Sequence, residues 1–190
     1  MSKILTTTYI NPDLDGFSSA IAYAEFLNKT GKKAKPGFFG KYLDEIEFVM
    51  DEFSFGYPPK LKDISSYKKI ALLDESSTTR LEPEIDLTKI FEIIDHRSVA
   101  ELKEFPNAVV QLEQVGACAS LIAEKFMLNN VDISKMSATL LYMGIISNSD
   151  DFKNPQTTNK DRQAAAWLKD KIKITPNLIR EFFKAKTLIN

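Results

Sequence analysis

Short β-branched runs and segments with helical spacing alternate along the chain. Residues 4–9 are rich in β-branched side chains and read as a strand. The segment 16–29 places Phe17, Ile21, Ala24 and Leu27 on one face of a helix, with Gly31 as its stop. A second strand is expected at 35–39, and 43–53 repeats Ile46, Val49, Met50 and Phe53 at helical spacing. The stretch 54–66 carries Gly56, Pro58 and Pro59 and reads as loop. Continuous apolar runs at 69–73 and 89–94 have the character of buried parallel strands, and 109–112 is a further short strand. Beyond it the pattern turns helical over 117–128, 134–147 and 159–172. A last helix is expected to start with Thr175 as its cap and Pro176 at the first helical position.

Strands alternating with helices favour an α/β fold: a three-layer domain with a mostly parallel sheet of about five strands flanked by helices. In such sheets ligands bind at the carboxyl ends of the strands. Three polar clusters follow expected strands: Asn11-Pro12-Asp13-Leu14-Asp15, Asp74-Glu75 and Asp95-His96-Arg97. Meeting at one sheet edge, they would gather Asp13, Asp15, Asp74, Asp95 and His96.

Composition narrows the chemistry. The 190 residues, 44% hydrophobic and 27% charged, suit an ordinary globular domain with a substantial core. Twenty-five basic residues against 26 acidic ones leave a net charge of −1, which argues against nucleic-acid or membrane coating. One cysteine, Cys118, excludes an internal disulfide and a cysteine-based zinc site. One histidine, His96, excludes any single-chain site built on two imidazoles. No targeting segment or apolar run of membrane-spanning length is visible, so a cytoplasmic location is expected.

Clustered carboxylates repel one another unless a cation compensates. Oxygen ligands suit Mg²⁺ or Mn²⁺, and an added imidazole shifts the preference toward Mn²⁺, Co²⁺ or Fe²⁺. Two such ions roughly 3.5–4 Å apart are a usual device for hydrolysing phosphate esters and anhydrides. Plainer roles compete: Asp15 as a helix cap, Asp74 as a turn residue, His96 as a hydrogen-bonded loop residue, Arg97 in a surface salt bridge. Arg97 also suits bidentate contact with phosphate. The Gly116-Ala117 turn before a helix offers backbone N–H groups to an anion, although ordinary turning is the stronger reading. Trp167 reads as a core anchor.

In order along the chain, Asn11-Pro12-Asp13-Leu14-Asp15, Leu72-Leu73-Asp74, Ile93-Ile94-Asp95-His96, Val115-Gly116-Ala117-Cys118-Ala119-Ser120 and Gly144-Ile145-Ile146-Ser147 resemble the DHH phosphoesterase superfamily. Within it the chain is similar to the N-terminal domain of manganese-dependent (family II) inorganic pyrophosphatases, up to about Lys186. The resemblance implies a metal-dependent phosphohydrolase cleaving a phosphoanhydride or phosphoester. It assigns the metal to Asp13, Asp15, Asp74 and His96, with the Asn148 carbonyl completing the shell, and catalysis to Asp74, His96 and Arg97. Arg97 and Asn11 are expected to contact substrate. The metal would be Mn²⁺, or Mg²⁺ or Co²⁺, in one well-formed and one weakened site. The weakening follows from three departures: Tyr9 and Arg97 stand where the family has histidines, and Asn148 where it has aspartate.

Those departures sustain an alternative, a catalytically weakened phosphate- or nucleotide-binding or protein-interaction module. Residues 1–190 are expected to form a single DHH-type domain without the family's second, C-terminal domain. The expected partner is a small phosphate-containing substrate. A homodimer is compatible with this reading, and neither a membrane nor a nucleic-acid partner is expected.

Overall fold

A computed structural model describes residues 3–97 and 102–187. Among these residues five strands form one sheet: β1 (Ile4–Thr7), β2 (Ala34–Pro36), β3 (Lys69–Leu73), β4 (Ile90–Asp95) and β5 (Val109–Leu112). Their order is β2-β1-β3-β4-β5, and every neighbouring pair is parallel. Among the described residues six α-helices accompany them: α1 (Leu14–Lys29), α2 (Asp44–Glu52), α3 (Cys118–Leu128), α4 (Lys135–Asn148), α5 (Asn159–Lys169) and α6 (Pro176–Thr187). The expected α/β class and parallel sheet are what the chain adopts. None of the helices is long and apolar enough to cross a membrane among the described residues.

The period-2 alternation of the strands divides the core. Ile4, Ala71, Leu73 and Ile94 face the helices, where Phe17, Leu27, Phe126, Leu141 and Phe182 join one cluster. Leu5, Ile70, Leu72, Ile90 and Ile93 face the other way and meet Phe39, Ile64, Tyr67, Leu81, Ile85 and Phe105. That second layer comes from irregular chain after β2, β3 and β4, where Pro58, Pro59 and Pro83 discourage helix formation. Trp167 is only partly buried and packs at the margin of the first cluster.

Helix ends are set by side chains. Asp13 caps α1 by accepting from the Gly16 N–H at 2.9 Å, so the helix opens at Leu14. Ser134 caps α4, and Thr158 with Asp161 forms a capping box on α5. Thr175 Oγ1 accepts from the Leu178 N–H at 3.2 Å, as expected of a cap before Pro176. Expected strand 35–39 ends earlier, at Pro36, whose ring removes a ladder donor.

Candidate metal centre

The carboxyl ends of β1, β3 and β4 bring Asp15, Asp74 and His96 together. One ligand atom from each lies within 4.8 Å of the others. Asp15 sits in the first turn of α1 with its side chain 1% exposed. Its Oδ2 accepts from the Cys118 N–H at 2.8 Å and its Oδ1 from the Ala119 N–H at 2.7 Å, so the amino end of α3 fixes the carboxylate. Burial, with the Asp74 charge adding to it, pushes the Asp15 carboxyl up, while His96 and the α3 amide groups pull the other way.

Asp74 directly follows β3 in a left-handed conformation, φ 57°, which is costly for a non-glycine residue. Its backbone N–H is tied to the Ile94 carbonyl at 2.8 Å. A Cβ on Gly16 would lie 3.3 Å from Asp74 Oδ2 and 2.6 Å from Thr8 Oγ1, so glycine there lets the carboxylate approach the first turn of α1. Both Asp74 oxygens are buried and receive no well-formed hydrogen bond. Burial and then the Asp13 charge push its carboxyl up to about 6, against His96 and Arg97.

His96 Nδ1 lies 2.9 Å from the Val115 carbonyl, an acceptor, so Nδ1 carries the proton in the neutral ring and donates it there. Nε2 then faces Asp74 Oδ1 at 3.2 Å and Asp15 Oδ2 at 3.7 Å. Without an ion the pair of carboxylates draws a proton onto Nε2. Burial would lower the imidazolium pKa, but the close approach of Asp74 and the charges of Asp15 and Asp74 push it up to about 10.

These residues fit a divalent cation. Buried carboxylate oxygens lacking donors, an imidazole nitrogen aimed at the same point and a second-shell carbonyl fixing its tautomer form a mixed N/O donor set.

Three other expected ligands or contacts are placed differently. Asp13 gives Oδ1 to the α1 cap and lies at the cavity wall outside the three-residue cluster. Asn148 was expected to present its carbonyl oxygen. Instead its Nδ2 donates to the Gly116 carbonyl at 2.9 Å and Asp15 Oδ2 at 3.1 Å, both acceptors, so the amide nitrogen faces the cluster. Asn11, in a left-handed turn, uses Oδ1 to accept from the Lys41 N–H at 2.7 Å and does not line the cavity. The Gly116 and Ala117 amides are not offered to an anion. They donate to Asp161 at 2.8 and 3.2 Å. Asp95 is fully buried and holds its own turn through the His96 N–H and Ser76 Oγ.

Arg97 stands inside the site. It donates through Nη2 to the Asp74 carbonyl at 2.8 Å and through Nη1 to Glu75 Oε1 at 3.1 Å. Tyr9 is buried, and its hydroxyl accepts from the Asp13 N–H at 3.3 Å. Burial and Asp13 raise its phenol far above the usual range, which keeps it neutral. Sequence reasoning passed over Asp161 and Arg80, and named Glu75 only as part of the Asp74-Glu75 cluster. The capping-box pattern Thr158 to Asp161 was the available signal for the first. A cavity of about 780 Å³ opens over Asp13, Asp74, His96 and Asn148, with Tyr9, Arg80 and Arg97 on its wall.

Residues 3–145 match the family described as DHH family, N-terminal domain. The chain is 31% identical over 185 residues to a probable manganese-dependent inorganic pyrophosphatase of Clostridium acetobutylicum, covering 97% of this chain and 60% of that protein. It is 32% identical over 169 residues to a protein of the same description from Bacillus cereus, covering 88% and 55%. The crystal structure of a putative family II inorganic pyrophosphatase from Methanococcus jannaschii matches with a TM-score of 0.84 at 28% identity, over 98% of this chain and 62% of that one. An exopolyphosphatase-related protein from Bacteroides fragilis shares the fold, with a TM-score of 0.74 at 17% identity, covering 100% and 57%. The chain thus spans about 55–60% of the length of the curated relatives it matches.

Proposed function

The chain belongs to the DHH family, and on that premise we propose that it is the metal-holding domain of a phosphohydrolase acting on a phosphoanhydride or phosphoester, pyrophosphate-like in its recognition. The observation that carries this reading is Asp74: a buried carboxylate with no well-formed hydrogen bond to either oxygen, beside an imidazole nitrogen held toward it. Asp15, Asp74 and His96 would hold the ion, and Mn²⁺ agrees with their mixed donors and with the names of the relatives. When bound, the ion supplies charge neutralisation at a phosphoryl oxygen and a more acidic water.

The remaining work falls to the chain. The α3 amide groups hold Asp15 in place and oppose the protonation that burial favours, and Val115 keeps the His96 tautomer. Asp13, which lines the cavity, would accept a proton from an attacking water. Arg97 offers its guanidinium to a phosphoryl oxygen. Hydrolysis of pyrophosphate, short polyphosphate and a dinucleotide in Mn²⁺, compared with Asp74→Asn, tests the reading. Turnover no greater than that of the variant defeats it.

A second reading, a phosphate-binding module without turnover, draws on the Asn148 amide nitrogen, which occupies a ligand position with a donor. Anion binding by calorimetry that is indifferent to Mn²⁺ would select it.

A further inference from the structure

The cavity has a second positively charged wall, in the loop after β3. The Arg80 guanidinium carbon lies 3.7 Å from the centre of the Tyr9 ring, within cation–π range. Its Nε and Nη2 both meet Glu75 Oε2 at 2.8 Å. Arg97 reaches the other oxygen of the same carboxylate at 3.1 Å, and its guanidinium carbon is 5.7 Å from the same ring. Glu75 is almost fully buried, with its side chain 1% exposed, while the Arg80 and Arg97 side chains remain 43% and 33% exposed toward the cavity side. One carboxylate thus orients two guanidinium groups over one aromatic floor.

Arg97 is shared among three carboxylates, lying also 3.8 Å from Asp74 Oδ2 and 4.0 Å from Asp95 Oδ1, whereas Arg80 pairs with Glu75 only among the described residues and keeps an exposed edge of its guanidinium for an anion. Planar guanidinium forks match the oxygens of a phosphoryl group and can each donate twice. Both guanidinium groups line the same cavity as Asp74 and His96, so a phosphoryl group there and an ion at the carboxylates would share one enclosure. The neutral phenol of Tyr9 adds no competing charge.

We propose that Arg80, together with Arg97 on the Tyr9 ring, forms a phosphate subsite that makes the centre selective for two linked phosphoryl groups. This rests on the metal-dependent phosphohydrolase reading. Arg97 also braces the Asp74 main chain, so its removal would disturb the ligand itself. Arg80 contacts Glu75 and Tyr9 and is the cleaner probe.

The test is titration calorimetry of the full chain loaded with Mn²⁺, with methylenediphosphonate, whose P–C–P bridge is not hydrolysed, and with inorganic phosphate. Arg80→Ala is expected to weaken methylenediphosphonate about tenfold or more, the scale of one charge-assisted contact, and to leave Mn²⁺ affinity within about twofold. Arg80→Lys should give an intermediate loss, since charge remains without the fork. Unchanged diphosphonate affinity in Arg80→Ala overturns the subsite. So does an equal fall in Mn²⁺ affinity, which would make Arg80 only a brace for Glu75. A wild-type chain that binds neither Mn²⁺ nor diphosphonate overturns the phosphohydrolase reading, and the subsite with it.

Discussion

Loading the centre with a divalent ion should expel a proton from His96. In the metal-free chain Nε2 lies 3.2 Å from Asp74 Oδ1 and 3.7 Å from Asp15 Oδ2. Burial disfavours the imidazolium, but the close approach of Asp74 and the two carboxylate charges push its pKa up to about 10. An ion at the same carboxylates needs the Nε2 lone pair, so the proton must leave. Between about pH 7 and 9 the logarithm of apparent Mn²⁺ affinity should therefore rise with a slope near +1, about 100-fold in all. Asp74, pushed up to about 6 by burial and Asp13, is ionised across that range and adds no slope, while any proton held by Asp15, which burial and the Asp74 charge also push up, leaves with the same sign and steepens the rise. Calorimetry in two buffers of different ionisation enthalpy counts the released proton directly. His96→Gln should flatten the slope and weaken binding by about tenfold or more. A flat affinity profile with buffer-independent heats in the wild type would refute the assignment of Nε2 as a ligand. The linkage has a counterpart in stability. A raised pKa stabilises the metal-free fold fully below about 6.5, and that contribution disappears as pH rises through about 10. Metal-free Tm should fall across this window.

Two substitutions separate bracing from ligation. Asp161 is fully buried and accepts from Gly116 N–H, Ala117 N–H, Ser120 Oγ and both donors of Thr158. Asp161→Ala leaves several of these donors without partners and should cost about 3–5 kcal/mol, read by urea unfolding. A loss under about 1 kcal/mol would mean that water replaces the carboxylate. Asn148→Asp puts a second carboxylate at the 3.1 Å contact with Asp15 and withdraws the donor from Gly116. It should destabilise the metal-free chain by about 1–2 kcal/mol while raising Mn²⁺ affinity about tenfold, opposite signs that thermal unfolding with and without Mn²⁺ resolves.

The architecture was legible because burial and periodicity coincide. The run Ile70 to Leu73 is apolar on both faces, and Ile93 and Ile94 join opposite clusters, as a sheet covered on both sides requires, while Phe91 and Glu92 are only partly buried. The covering of the second face was not legible. Ile64, Tyr67, Leu81, Ile85 and Phe105 are scattered through irregular chain, with neither period 2 nor period 3.6 to mark them as core. Strand ends also drifted. The expected β1 run to residue 9 stops at Thr7, because the chain must turn there to carry Tyr9 and Asp13 to the sheet edge.

The site divides along a similar line. That Asp15, Asp74 and His96 converge follows from their places at strand ends, which a linear sequence displays. How each neighbour uses its polar atoms does not, because the choice depends on partners far away in the chain. Asp13 and Asp15 are two residues apart and chemically alike. The helix axis directs Asp13 to its own Gly16 amide, while Asp15 turns inward to amides 103 and 104 residues away. Asn148 is decided by Gly116: a carbonyl at 2.9 Å accepts only a donor, so the nitrogen is turned toward the cluster and the oxygen away. The same logic conceals Arg80. Its sequence context, Thr78-Thr79-Arg80-Leu81, carries no sign of chemistry. Only the fold reveals that Glu75 and the Tyr9 ring hold it against the cavity that contains Asp74.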